Sequence, residues 1–197
     1  MKALYALLLL AASAGAEPLT LRVSRTYTHV QFTIRKWTVL KQEGSFRDVA
    51  AQIIFDKEDP TRSRVQLTVQ VASIDTGNRA RDRGLLGDDF FDSPHHPEMT
   101  FVSSSIARGK STESFEVTGD LSIHGVTRRM TVPVKFFGLS SQAGSGTVAG
   151  FETDFTIDRT DFGVSGARWS GGKLQLSKEV LVHLAIGACI EGDHCIP

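Results

Sequence analysis

The chain has 197 residues, with 22 Lys plus Arg against 22 Asp plus Glu, so its formal charge is zero. A chain without net charge lacks the long-range field that draws nucleic acid or an anionic membrane surface, and neither is expected as a partner. At 41% hydrophobic and 22% charged residues, the composition excludes disordered, collagen-like and coiled-coil chains, and a single globular domain is expected.

The chain begins with Lys2, the unbroken apolar run Ala3 to Ala12, and the small residues Ala14-Gly15-Ala16. This is the pattern of a cleaved export signal over residues 1–16, with cleavage expected before Glu17. The run is about half the ~20 residues a membrane-spanning helix needs, so no transmembrane anchor is expected and the product is read as periplasmic or secreted. Losing the segment removes Lys2 and leaves 21 positive against 22 negative charges.

From Glu17 onward the dominant period is two, the mark of half-buried strands. Val30, Phe32 and Ile34 alternate with Gln31, Thr33 and Arg35, and a second run begun at Phe46 continues through Ala51, Ile53 and Phe55. Val65, Leu67, Val69 and Val71 form a third. The pattern returns at Phe115 and Val117, at Leu121 and Ile123, at Met130, Val132, Val134 and Phe136, and at Phe151, Phe155 and Ile157. The last run starts at Leu174 and includes Leu176, Val180, Val182, Leu184 and Ile186. Turn residues separate these runs: Asp59-Pro60, Gly109-Lys110, His124-Gly125, the stretch from Gly138 to Gly146, and Gly171-Gly172. One stretch breaks the rhythm. Thr76 to Phe91 lacks alternation and ends in the turn signal Asp92-Ser93-Pro94, so a short helical insertion is predicted near residues 78–91.

Eight or more sequential strands with short connections predict an all-β antiparallel meander. Closing it into a barrel removes the exposed edges, and a barrel is favoured over a sandwich. A barrel of about eight strands has room for one small ligand. Twelve Phe against two Tyr and two Trp fit either an apolar cavity or an ordinary packed core. At the C-terminus, Cys189 and Cys195 are spaced for a disulfide in an exported chain, pinning a tail over 189–197 with about 2 kcal/mol at most.

Three blocks of sequence carry a resemblance. Ser73-Ile74-Asp75-Thr76, Arg81-Asp82, Asp89-Phe90-Phe91-Asp92, Pro97 and Thr100-Phe101 occur in order, followed by Gly119 to Thr127 (GDLSIHGVT) and Ile157 to Val164 (IDRTDFGV). Gly44-Ser45-Phe46 adds part of an earlier element. Together these resemble the YceI-like, polyisoprenoid-binding family. The resemblance implies an extended lipocalin-like barrel over residues 17–188, exported and able to form a homodimer. It also implies an internal tunnel for a polyisoprenoid, quinone-like or fatty-acid-derived ligand, with no cofactor. Burying about twenty methylene-equivalent groups would contribute on the order of 16 kcal/mol gross, less the cost of ordering the ligand.

The tunnel wall is expected from Phe32, Ile34, Phe46, Phe90, Phe91, Phe101, Leu121, Ile123, Phe136 and Phe155. Asn78, Arg79, Arg81, His95 and Arg159 are candidates for the polar end of a ligand. Alternatively, the arginines pair with Asp82, Asp88, Asp89 and Asp161 to hold loops. A second function is a hydrolase or isomerase acting on such a molecule with Asp92, His95 or His124 as acid or base. No complete nucleophile set accompanies these residues. Neighbouring His95 and His96 would diverge, and no carboxylate or cysteine spacing completes a zinc set in the sequence.

Overall fold

The computed structural model describes residues 17–142, 146–168 and 176–192. The expected leader, the Gly171-Gly172 turn, Leu174 and Cys195 lie outside these residues. Among the described residues, eleven strands and one α-helix follow in order: β1 Leu19–Val23, β2 His29–Lys36, β3 Leu40–Phe46, β4 Val49–Phe55, β5 Arg64–Gln70, β6 Ile74–Asp75, α1 Arg79–Leu85, β7 Glu98–Arg108, β8 Ser114–Ile123, β9 Val126–Gln142, β10 Gly146–Asp158 and β11 Leu176–Ile190. Every strand pairing among the described residues is antiparallel. The ring β1-β4-β5-β7-β8-β9-β10-β11 closes through β1 on β11, so an eight-stranded barrel forms, as expected, rather than a sandwich.

The extra strands come from bends. On β11, residues Ala188 to Ile190 pair with β1, whereas Leu176 to Ala185 pair with β2. Gly187 sits at the joint, where its N–H donates to Tyr27 O at 3.0 Å and its carbonyl accepts from Ser24 N at 2.8 Å. A Cβ at Gly187 would stand 2.5 Å from Tyr27 Cβ, so only glycine lets the two backbones meet there. β3 and β4 are likewise halves of one bent strand, which breaks at Arg47-Asp48 where the sequence suggests a single run from Phe46 to Phe55. The stretch from Gly138 is also not all turn: β9 continues to Gln142 before β10 starts at Gly146.

β5 stays beside β7 as far as Gln70 opposite Glu98; β6 then leaves β7 and pairs with β3. Residues 77–97 span the resulting gap. Asn78 caps α1 by accepting from Ala80 N and Arg81 N, and the helix ends at Leu85, short of the expected reach toward Phe91. Turns from Leu86 to Pro97 complete the cover. The core is made by inward positions of every barrel strand, among them Leu21, Ile53, Val69, Met99, Ile123 and Ile186. A smaller cluster around Phe115, Val117 and Val132 fills the other end. Among the described residues, no helix is long and apolar enough to cross a membrane.

Candidate functional site: the barrel cavity

Alternation along the strands sets one side chain in two facing the barrel interior, and at the α1 end these side chains do not meet. They leave a cavity of about 520 Å³. Of the residues expected at the tunnel wall, Phe32, Ile34, Phe46, Phe90, Phe91, Phe101, Leu121, Ile123 and Phe155 line it, as do Asn78, Arg81 and Arg159 at its polar edge. The rings of Phe32 and Phe46 lie 5.6 Å apart, and Phe46 meets Phe91 edge-on at 5.9 Å.

Three expected residues fall elsewhere. Phe136 packs between Phe55 and Phe151 at 5.0 and 5.1 Å, lining a separate cavity of about 130 Å³ toward the far end of the barrel. Leu67, Phe101, Leu121, Phe155 and Leu184 border both cavities and form the waist between them. Arg79 and His95 are exposed and line neither. Conversely, Val30, Leu67, Val69, Met99, Ile157, Val180, Val182 and Leu184 line the larger cavity without having been singled out. Val30, Met99 and Ile157 lie in phase with a noted wall residue on the same strand, so extending the period of two would have found them; the others lie on β5 and β11, where the alternation is legible but supplied no wall candidate.

The arginines do not pair with the expected aspartates. Arg81 donates from Nε to Thr76 Oγ1 at 2.8 Å, from Nη2 to Thr76 O at 2.7 Å, and from Nη1 to Gln42 Oε1. Asp82 instead accepts from Thr76 N and Oγ1 at 3.0 and 2.6 Å. Asp88 and Asp89 receive Arg168. Arg159 spends its donors on carbonyls: Nε on Ser177, Nη1 on Val164 and Ser165, and Nη2 on Leu176, at 2.6 to 3.3 Å. A guanidinium has five N–H groups, so one remains on Nη2 at the cavity edge. Burial pushes the Arg159 pKa below its ordinary value, with Asp158 opposing. The Thr160 hydroxyl, then its N–H, holds the Asp158 carboxyl below the usual range and fixes the turn that carries Arg159.

Asp92, His95 and His124 stand outside the cavity wall. Asp92 O accepts from His95 N and His96 N at 3.0 and 2.8 Å, a single helical turn that sets Asp92 and His96 on one side. His95 Nδ1 lies 2.9 and 3.0 Å from the two Asp92 carboxylate oxygens. That hydrogen bond, and then the charge of Asp92, holds the His95 imidazole above its usual pKa against burial. The β8–β9 turn delivers His124 to the same place, so that Asp92, His96 and His124 offer donor atoms within 4.8 Å of one another. Sequence spacing alone could not complete this set, because His124 comes from a hairpin 28 residues beyond His96. A second group, Glu152, Asp154 and His183, lies across the β10–β11 pair.

The YceI-like domain family matches residues 21–188. Protein YceI of Escherichia coli is 30% identical over 154 residues, covering 78% of this chain and 80% of that protein. A UPF0312 protein of Photorhabdus laumondii is 32% identical over 157 residues, covering 80% and 81%. Among solved structures, Burkholderia cenocepacia BcnA superposes with a TM-score of 0.73 at 26% identity, over 84% of this chain and 98% of that one. A polyisoprenoid binding domain from Saccharophagus degradans gives 0.70 at 18% identity, over 87% and 99%, a likeness of fold. With a family match across nearly the whole described barrel and relatives at this level of identity, the chain belongs to the YceI-like family.

Proposed function

We propose that the protein is an exported, non-enzymatic carrier that holds one long apolar molecule, a polyisoprenoid, quinone-like or fatty-acid-derived compound, in its barrel. The observation that carries this reading is the cavity of about 520 Å³, walled by phenylalanine and aliphatic side chains with polar groups gathered at one edge. Its size is within the range of about 300–1,000 Å³ typical of small-molecule sites. Water is a poor occupant of the apolar part, because each buried molecule needs two to four polar partners that the phenylalanine and aliphatic wall lacks.

The polar edge suits a ligand with one polar end. Arg81 and Arg159 bring two guanidiniums to the cavity without a carboxylate bonded to either, and Asn78, Thr76 and Gln42 stand beside Arg81. The apolar tail would run inward past Phe32, Phe46 and Phe91 toward the waist. Asp92, His95 and His124, the groups an isomerase or hydrolase would use, lie outside this wall, which favours holding over turnover.

The test is native mass spectrometry of the protein purified gently from an exporting host, followed by organic extraction. One long-chain lipid or isoprenoid per chain is the expected result, and the same spectrum reports whether the chain is a dimer. A bare protein that also takes up no added polyprenyl quinone would overturn the carrier, whereas conversion of that quinone would support an enzyme.

A further inference from the structure

The geometry points to a second site, outside the barrel: Asp92, His96 and His124 form a binding site for a late first-row divalent metal ion of the zinc(II) type. Two imidazoles and one carboxylate are a nitrogen-rich set that suits zinc, copper or nickel, whereas calcium and magnesium require oxygen ligands. The donor atoms lie within 4.8 Å of one another. Tetrahedral zinc with bonds of about 2.0–2.2 Å sets donors roughly 3.3 Å apart, so each side chain closes on an ion by an ångström or so. Three protein ligands leave one position open.

Several features prepare the site independently of the donors' proximity. His124 Nδ1 lies 3.2 Å from the Phe162 carbonyl, which can only accept, so Nδ1 carries the proton and Nε2 keeps its lone pair. Asp92 is oriented by His95 in the manner of an outer-shell partner. Both Asp92 and His124 hold left-handed backbone, with φ of +46° and +51°. His124 is followed by Gly125 at φ +73° in a two-residue hairpin turn where Asn-Gly would be the less strained choice. Strain retained at two of three donors is the kind that accumulates where a side chain is needed. Finally, a Cβ at Gly125 would stand 2.6 Å from His96 Cε1, so the bare glycine makes room for the His96 ring.

A metal held there would tie the turn beginning at Phe90-Phe91, which forms cavity wall, to the β8–β9 hairpin. The inference concerns metal uptake and stands whether or not the barrel carries a lipid. It is tested on the chain from Glu17 to Pro197, stripped with chelator and titrated with zinc(II) by calorimetry and with cobalt(II) by visible absorption. Wild type is expected to take up zinc, to show cobalt d–d bands, and to slow amide exchange across residues 90–96. His124→Asn removes the imidazole while suiting the turn, so it should fold normally and bind at least about tenfold more weakly, with the bands lost. Asp92→Asn and His96→Gln should weaken binding similarly. His183→Gln, at the β10–β11 group, should leave the bands and the protection intact. No uptake by wild type at near-millimolar zinc, or equal uptake by wild type and His124→Asn, would overturn the site.

Discussion

The ring of Phe32 lies over Gly44, its register partner across the β2–β3 pair: a Cβ at residue 44 would stand 2.4 Å from Phe32 Cζ and 2.8 Å from Cε1. The absent side chain therefore sets how far Phe32 reaches into the cavity. Gly44→Ala should push the ring inward, costing about 1–3 kcal/mol of stability through overpacking. Uptake of a polyprenyl quinone should fall by about tenfold, near 1.4 kcal/mol. Titration of the folded variant by native mass spectrometry measures this; unchanged uptake would mean that Phe32 does not bound the ligand.

Thr153 faces inward on β10 between Phe151 and Phe155. It is 7% exposed, and its Oγ1 has no hydrogen-bond partner. A buried hydroxyl without a partner is a cost, and valine has nearly the same shape. Thr153→Val should therefore stabilise the protein by about 1 kcal/mol, raising Tm by about 2–4 °C for a chain of this size. Differential scanning calorimetry decides it. A lower Tm would show that the hydroxyl is satisfied in solution, by water or by ligand.

These two positions mark what the sequence can and cannot express. Alternation at Phe32, Ile34, Leu121 and Ile123 reports which residues share a face, so the barrel and most of its apolar wall are legible. Alternation is blind to where strands bend. The splits at Gly187 and at Arg47-Asp48 arise from contacts between distant segments, so Phe46 to Phe55 reads as one run and Leu19–Val23 goes unnoticed as a strand without them. Polar partners are harder still. Arg159 has Asp158 and Asp161 close in sequence yet bonds to four carbonyls, because backbone left unpaired around the turn after β10 must find donors. His124 reads in sequence as a turn residue and as a candidate acid or base but not as part of a donor set, since its neighbours Asp92 and His96 are brought to it by the cover over the barrel end.

Asp56 should make stability depend on pH in the acid range. The residue is 6% exposed. Its carboxylate accepts from Asp59 N at 2.9 Å and Glu58 N at 3.0 Å, and Arg62 approaches at 2.8 Å. The Asp59 N–H foremost, then the Glu58 N–H and the Arg62 charge, hold its pKa below the ordinary 3.8 despite the opposing effect of burial. A depressed carboxyl pKa contributes stability that is present above the unfolded value and lost as pH falls through the folded one. Asp56→Asn should thus be destabilised in urea unfolding at pH 7. The difference from wild type should shrink steadily below about pH 4. A gap independent of pH would remove the carboxylate's charge from the explanation.

Cys189 is 1% exposed at the end of β11. If it is bridged to Cys195, the denatured, unreduced protein from an exporting host will show no free thiol. Reduction should then cost about 2 kcal/mol or less, the chain-entropy value for so short a loop. Alkylation mass spectrometry before and after reduction reads the outcome; two alkylated cysteines without reductant would sink the bridge.

Arg159 joins the turn after β10 to the start of β11 through Val164, Ser165, Leu176 and Ser177. Arg159→Lys keeps the charge but replaces a planar five-donor fork by three donors on a single atom, which cannot reach the carbonyls spread around three guanidinium nitrogens at once. Some of those carbonyls would lose their partner, at a cost of about 2 kcal/mol. Because Arg159 also lines the cavity beside Phe162 and Val164, loosening the turn should speed ligand loss as well. Unfolding of the ligand-free protein isolates the first effect, and dissociation of a polyprenyl quinone from the loaded protein isolates the second. A lysine variant as stable as wild type that releases ligand faster would make Arg159 a contact to the head group, whereas reduced stability with unchanged release would leave it only a tether.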